Sequence, residues 1–380
     1  MRAMKARTFL VSLAVLLLAG CGGAAPTSSP SAAPASPASA SAAASKPAAS
    51  TAPAGSAKPA ASGSAAAKPS AAASGQVQLK GTYITVSPTG GPLWAGKEAG
   101  IFAKNGLDVS LTSVQATAAM PALVSNDTQL ASSGAAEVAA LDLKGGSVVM
   151  IAEGAARPIF SLFANKKYKT VQDLAGQTIG VTSIGAASDT IAHLFLRKVG
   201  MEDKVKIVGA GGSSPAILAA MSQGLIAGAI LIPPVTAKAE QDGYVELING
   251  VKLGVAYTQG SLSVTRAFVK DRADVRDRLL KSYLDSWQFI SNPANKAQML
   301  TIFEKYTKSD ANNSEIAYKF MLPLWQSQKV PYMTAEATKN VLTFISDPQA
   351  QNADPKQFYD NSPLEAIAKA QGLPGASASG

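Results

Sequence analysis

The 380-residue chain is poorest in the residues that most protein chemistry uses: it has one cysteine, Cys21, and one histidine, His193. A single thiol excludes an intrachain disulfide framework and any zinc site built on several thiolates. A single imidazole leaves no material for a histidine-rich metal centre and one candidate base for a triad. No metal and no cofactor is expected. Acidic residues are absent from the first 80 positions, which hold seven of the 34 basic ones. The formal charge of +9 therefore shrinks to +2, 27 basic against 25 acidic residues, over 81–380. A nucleic-acid binder carries its positive charge on the folded surface, so no nucleic-acid partner is expected. About 300 residues remain, enough for two domains of ordinary size.

The N-terminus explains where the early charge sits. Arg2, Lys5 and Arg7 precede an apolar run from Phe9 to Leu18, shorter than the ~20 residues of a membrane-spanning helix and of signal-peptide length. It ends in Leu18-Ala19-Gly20-Cys21, which resembles the lipobox of bacterial lipoproteins. That resemblance implies a signal peptide over 1–20, lipidation of Cys21 and an extracytoplasmic protein anchored to the cell membrane. From Gly22 to Gly75 the chain is almost wholly Ala, Ser, Pro, Gly and Thr, with eight of its 22 prolines. Such a stretch has too little apolar surface to offset ordering entropy. It reads as a disordered tether, with 21–80 as one region, spanning on the order of 40 Å.

From Thr82 apolar runs alternate with Gly and Pro punctuation. Strands are expected at Tyr83–Val86, Leu107–Leu111, Leu130–Ser132, Val148–Ala152, Thr178–Val181, Val205–Val208, Gly228–Ile232 and Ser263–Val269. Helices are expected after Pro92, around Met120–Val124, and over Ala135–Lys144, Asp189–Val199 and Pro215–Gln223. The alternation argues for mostly parallel sheets with flanking helices. Four more amphipathic helices follow: Val275–Ile290, Ala294–Tyr306, Ser314–Trp325 and Ala335–Ser346.

Ligands of open α/β sheets sit beyond the carboxyl ends of the strands, where helix N-termini present amide groups. Four strand-to-helix turns have fitting chemistry: Thr89-Gly90-Gly91, Ser132-Ser133-Gly134, Ser183 to Ser188 with Gly185, and Gly211-Gly212-Ser213-Ser214. Glycine admits a ligand close to the backbone, and Ser and Thr add hydroxyls and caps. Two other residues have open alternatives. Trp94 packs in the core or closes one wall of the cleft; Arg157 pairs with an anionic ligand or with Glu153.

The run from Pro92 to Val109, PLWAGKEAGIFAKNGLDV, resembles the opening signature of the solute-binding proteins of ABC importers, in the nitrate/sulfonate/thiamine-precursor-binding group. Asp173 to Val181, Ala220 to Gly224 and Gly228 to Pro234 are similar to later parts of that family. The resemblance implies a type II periplasmic-binding-protein fold: two α/β lobes joined by two crossovers, with extra C-terminal helices, closing on a small molecule. Lobe 1 is then 81–160 with 266–380, lobe 2 is 166–260, and the crossovers lie near 159–165 and 260–265. It also implies an ABC permease with its ATPase as partners, a monomer, a small organic or anionic ligand, and Pro233 beside the four turns in the site. Amide arrays at Ser183–Ser188 and Gly212–Ser214 are expected to hold an oxyanion or polar head group.

Catalysis is not expected. Gly212-Ser213-Ser214 fails as a nucleophile elbow because Pro215 and Ala216 follow. Gly209-Ala210-Gly211 lacks the third glycine of a dinucleotide fingerprint. His193 lies opposite the apolar face formed by Ile191, Leu194 and Phe195, so it is expected in solvent. The competing readings are a tethered sensor feeding a membrane kinase and an enzyme on the same fold.

Overall fold

A computed structural model describes residues 75–375, apart from 85, 86, 115 and 346. The signal, Cys21 and almost all of the proposed tether lie outside the described residues. Chain order begins with β1 (Val77–Ile84), α1 (Gly91–Glu98), α2 (Ile101–Lys104), β2 (Leu107–Val114) and α3 (Ala116–Val124). Then come β3 (Leu130–Ser133), α4 (Ala135–Asp142), β4 (Val148–Ala155) and β5 (Ser161–Ala164). A second cycle runs β6 (Thr178–Val181), α5 (Ala187–Lys198), β7 (Lys206–Gly209), α6 (Ser214–Ser222), β8 (Gly228–Leu231), α7 (Val235–Gln241) and β9 (Val245–Asn249). Strand β10 (Gly260–Thr265) leads into α8 (Arg266–Asp271), α9 (Ala273–Ser291), α10 (Lys296–Thr307), α11 (Ala311–Ser327), α12 (Ala335–Leu342) and α13 (Ser362–Ala370).

The ten strands form two five-stranded sheets, ordered β2-β1-β3-β10-β4 and β7-β6-β8-β5-β9. Each sheet has the same plan. Two parallel pairs are followed by one strand antiparallel to both neighbours, β10 in the first sheet and β5 in the second. That odd strand is supplied by the chain as it arrives from the other half. The passages between halves are therefore 156–160 and 250–259, not 159–165 and 260–265, because Ser161–Ala164 and Gly260–Thr265 are ladder strands. Strand β10 also ends earlier than expected. Thr265 accepts the N–H of Phe268 on its hydroxyl at 3.1 Å and starts α8 at Arg266, so the apolar run through Val269 changes from strand to helix.

Burial follows each strand's place. Along β2 the side chains alternate at first, Leu107 and Val109 inward and Asp108 and Ser110 outward, as an edge strand with one wet face should. Strand β4 is also last in its order, yet every residue from Val148 to Ala155 is buried. Its outer edge is covered: Glu153 N–H donates to Pro331 O at 2.8 Å, and Met150 bridges to Tyr359.

The C-terminal helices complete the first half. Trp94 on α1 stacks on Tyr306 of α10, centroids 5.0 Å apart, and meets Tyr83 and Phe303 edge-on at 5.6 and 6.1 Å. Trp287 on α9 is buried and donates its indole N–H to Gln328 O at 2.9 Å. The second half has its own small apolar layer, in which Ile217 and Met221 of α6 pack with Phe163 and Leu231.

Candidate functional site

The carboxyl ends of β1, β3, β6, β7 and β8 all run into the turns singled out from the sequence, and the two passages leave from the same strand ends. The passages pair with each other: Gln259 N–H donates to Ala155 O at 2.9 Å, Tyr257 N–H to Ala156 O at 3.2 Å, and Gly250 N–H to Phe160 O at 2.9 Å. A Cβ on Gly250 would stand 2.6 Å from Pro158 O, so glycine permits this close approach. A hollow of about 540 Å³ on the outer helices, lined in part by Lys104, Lys281, Asp285 and Phe289, lies at the opposite, amino end of β2. Its Asp285 is already held by Asn105 and Lys281. The strand-end turns are the better candidate.

In the first half, Thr89 donates its hydroxyl to Ser87 at 3.2 Å and sits against Gly260. Gly90 and Gly91 are buried, a Cβ on Gly90 colliding with Trp94 and one on Gly91 reaching Trp325 at 3.0 Å. Trp94 itself is fully buried among aromatic rings. The C-terminal helices cover it, as the core reading of the two requires. Ser132 is half-buried between Tyr83 and Leu262 in register. Ser133 turns into the sheet, where its hydroxyl pairs with Ser263 at 3.0 Å and its carbonyl accepts from Ser261 at 3.1 Å. That buried network occupies the group expected to meet ligand.

In the second half, part of the two expected amide arrays is bonded within the chain. Ser188 is buried and its hydroxyl accepts the N–H of Thr182 at 3.0 Å and pairs with the Thr182 hydroxyl at 2.7 Å. Gly185, at φ +80°, gives its N–H to Asp189 Oδ2 at 2.8 Å. Gly212 N–H goes to Thr182 O at 2.9 Å, and the Ser213 hydroxyl accepts Ala216 N–H at 3.4 Å as the cap of α6. Ser183 and Ser213 are exposed, Ser214 is half-buried, and Pro233 is buried at a cis bond to Pro234. Within these two turns the N–H groups of Gly185, Ala186 and Gly212 are bonded within the chain.

Arg157 does not pair with Glu153. It donates to Gly254 O at 3.1 Å, which ties the two passages. Glu153 is fully buried instead, accepting Gly154 and Ala155 N–H at 3.2 Å each and the Thr258 hydroxyl at 3.1 Å. Burial pushes its carboxyl well above the usual range, against those hydrogen bonds. His193 is half-exposed, 3.2 Å from Glu202 through Nδ1. Arg197 also clasps Glu202 with two nitrogens, at 2.8 and 2.9 Å, and holds that carboxyl below its usual range. The Arg197 guanidinium lies over Phe344, 4.7 Å from the ring centroid, so the C-terminal segment touches α5.

Two acids at the strand ends were not singled out from the sequence. Glu137 is the third residue of α4 and Asp189 the third of α5. An acid three places after a turn is a legible signal, since it reaches back to the open helix start. Glu137 is folded over Gly134 and bonded by its own N–H, and burial raises its pKa. Its charge adds to the burial that raises the hydroxyl of Tyr257 in the second passage.

A family model described as NMT1/THI5 like matches residues 87–297. Solved structures share the two-sheet plan at low identity. A putative periplasmic sulfonate-binding protein of a sulfonate ABC transporter from Methylobacillus flagellatus is 16% identical, with TM-score 0.66 over 79% of this chain and 96% of that one. The periplasmic nitrate-binding protein of Synechocystis is 14% identical, with TM-score 0.60 over 79% and 90%. The periplasmic aliphatic sulphonate-binding protein of Escherichia coli is 16% identical, with TM-score 0.59 over 74% and 89%. At this identity the likeness is one of fold, the periplasmic-binding-protein fold. No curated protein matches the sequence.

Proposed function

Because the chain belongs to the NMT1/THI5-like family, we propose that it captures a small solute between its two halves and presents it to the permease of an ABC importer. The observation that supports this most directly is the pair of antiparallel passages, 156–160 and 250–259, joining two sheets whose ligand-facing strand ends meet the same hinge. Binding at those ends would draw the halves together as a hinged pair. The turns hold no nucleophile–base pair, so capture without chemistry suits them.

Capture predicts a linked gain in stability. At a hundredfold excess over Kd a ligand adds about 2.7 kcal/mol. Screening the full-length protein by thermal melting against a broad metabolite panel should find one class that raises Tm, and native mass spectrometry should find the same class co-purifying. No shift with any compound and no bound molecule would end the proposal.

The anchor is part of the same reading. We place the mature N-terminus at Cys21, acylated, with 22–80 as the tether that lets the folded part reach a permease. Cys21→Ser should move the protein from the membrane fraction to the soluble one in cell fractionation. Unchanged membrane association would remove the lipid from the account.

A further inference from the structure

We infer that the rim of the second half that faces away from the cleft turns lies on an anionic lipid surface. Solute capture is not needed for this, and the two readings stand or fall separately. Strands β6, β7 and β8 are parallel, so the segments entering them share one rim, while the cleft turns follow their other ends. Backbone bonds tie that rim together. Asn165 N–H donates to Ala227 O at 3.0 Å, and Ala227 N–H to Thr178 O at 2.8 Å. Gly176 N–H donates to Lys204 O at 2.7 Å, and Lys206 N–H to Gln177 O at 2.9 Å. The Tyr168 hydroxyl adds a bond to Gln177 Oε1 at 2.8 Å.

On this frame stand Lys166, Lys167, Lys169, Lys204 and Lys206, all exposed. Residues 165–177, 197–206 and 223–228 carry seven basic against three acidic side chains, whereas 81–380 as a whole balances to +2. The rim therefore concentrates positive charge that the rest of the folded chain does not carry. Two of its three acids are engaged: Asp173 accepts the N–H groups of Lys169 and Thr170 at 2.7 and 2.9 Å, and Arg197 clasps Glu202. Among the described residues none of the five ammonium groups pairs with a carboxylate, as those of Lys281, Lys296 and Lys305 do on the outer helices. Lys167 instead lies over the Tyr168 ring, 4.9 Å from its centroid. Glu240 and Asp242 stand farther along, at the end of α7 beside β9, where Lys238 holds Asp242.

Two observations select lipid over an acidic protein. All five cations are lysines, compact point charges suited to a diffuse field. The one arginine nearby, whose planar fork would read a carboxylate, is spent on Glu202. Leu225 is 70% exposed, the most exposed large apolar side chain among the described residues, and stands two positions before the Ala227 junction. A leucine beside several lysines fits the headgroup boundary of a bilayer. The apolar side chain enters the acyl layer, the lysine stems lie along it, and their ammonium groups meet phosphates. The cleft turns, at the other ends of the same strands, stay clear of the lipid and open to solute.

The test is co-sedimentation of the full-length Cys21→Ser protein, which cannot be acylated at that position, with vesicles. One set is phosphatidylcholine alone and the other contains about one third phosphatidylglycerol. The apolar run Phe9–Leu18 is common to every variant, and its share is read from the neutral vesicles. Affinity should be at least tenfold higher for the anionic vesicles, and salt raised to about 0.5 M should remove the difference. The triple change Lys166→Glu, Lys167→Glu, Lys169→Glu should cut that affinity at least tenfold. The double change Lys204→Glu, Lys206→Glu should do the same, so the argument survives if one set fails to fold. Leu225→Ser should weaken binding with the charge unchanged. Lys270→Glu with Lys356→Glu, exposed lysines of the first half, should leave it as it is. Equal affinity for neutral and anionic vesicles, or an equal loss in the Lys270 and Lys356 control, would overturn the inference. Retention on polyglutamate without vesicle binding would overturn it too, and would assign the rim to an acidic protein.

Discussion

Trp94→Ala is expected to lose about 3–5 kcal/mol of folding stability, the cost of emptying a fully buried indole site. The ring is enclosed by Tyr83, Phe303 and Tyr306, and Tyr306 stacks on it with an interplanar angle of 12°. Truncation removes the ring through which α1 stacks on α10, leaving the bonds of Lys305 and Tyr306 to Glu98. The urea midpoint should fall while the slope stays the same. Trp94→Phe should cost much less. The indole N–H is buried without a hydrogen-bond partner, so its removal leaves nothing unsatisfied. A midpoint unchanged in Trp94→Ala, with solute binding lost instead, would restore the cleft-wall reading.

Glu153 should give the second large effect, and one that depends on pH. Its carboxyl is raised in the folded protein, chiefly by burial. The folded state therefore holds that proton to higher pH than the unfolded state does. Stability contributed at this position is full below the unfolded carboxylate value of about 4.3 and is lost as pH rises through the folded value. Glu153→Gln cannot ionise and still offers Gly154 and Ala155 an acceptor. The stability of the variant relative to wild type should climb with pH above the unfolded value and then level off. Urea titrations across a pH series read that difference directly, and the other raised carboxyl among the described residues, Glu137, is common to both proteins. A gap that shrinks with rising pH would refute the assignment. Glu153→Ala should be worse than either, by about 1–3 kcal/mol, because it leaves buried N–H groups and the Thr258 hydroxyl without their acceptor.

Both residues show how far a local reading goes. Trp94 follows Pro92 at the start of a helix, and from that position alone the indole has two surfaces to choose between. What decided it was α10, some 200 residues later, which brings Phe303 and Tyr306 onto the same face. Glu153 ends a wholly apolar run, Val148 to Ala152, and an acid there is an anomaly that sequence alone can mark. Its partner Thr258 comes from the second passage, so the pairing with Arg157 that proximity suggested never forms. The turns behaved likewise. Their glycines and hydroxyls were visible, but Ser133, Ser188 and Ser213 spend their hydrogen bonds on neighbours.

Besides the resemblance to its family, the amino-acid sequence by itself determined the α/β alternation and the strand-to-helix turns. These depend on periodicity, helix caps and turn residues, all of which act over a few positions. Only the tertiary structure decided where the halves join and which groups at those turns stay available. Strands β5 and β10 complete the opposite sheets, and that exchange follows from ladder pairing between segments about a hundred residues apart. A hydrogen bond to such a segment leaves no mark in local sequence, so the single cysteine and histidine could exclude chemistries, but only the folded turns show which polar atoms remain open to a solute.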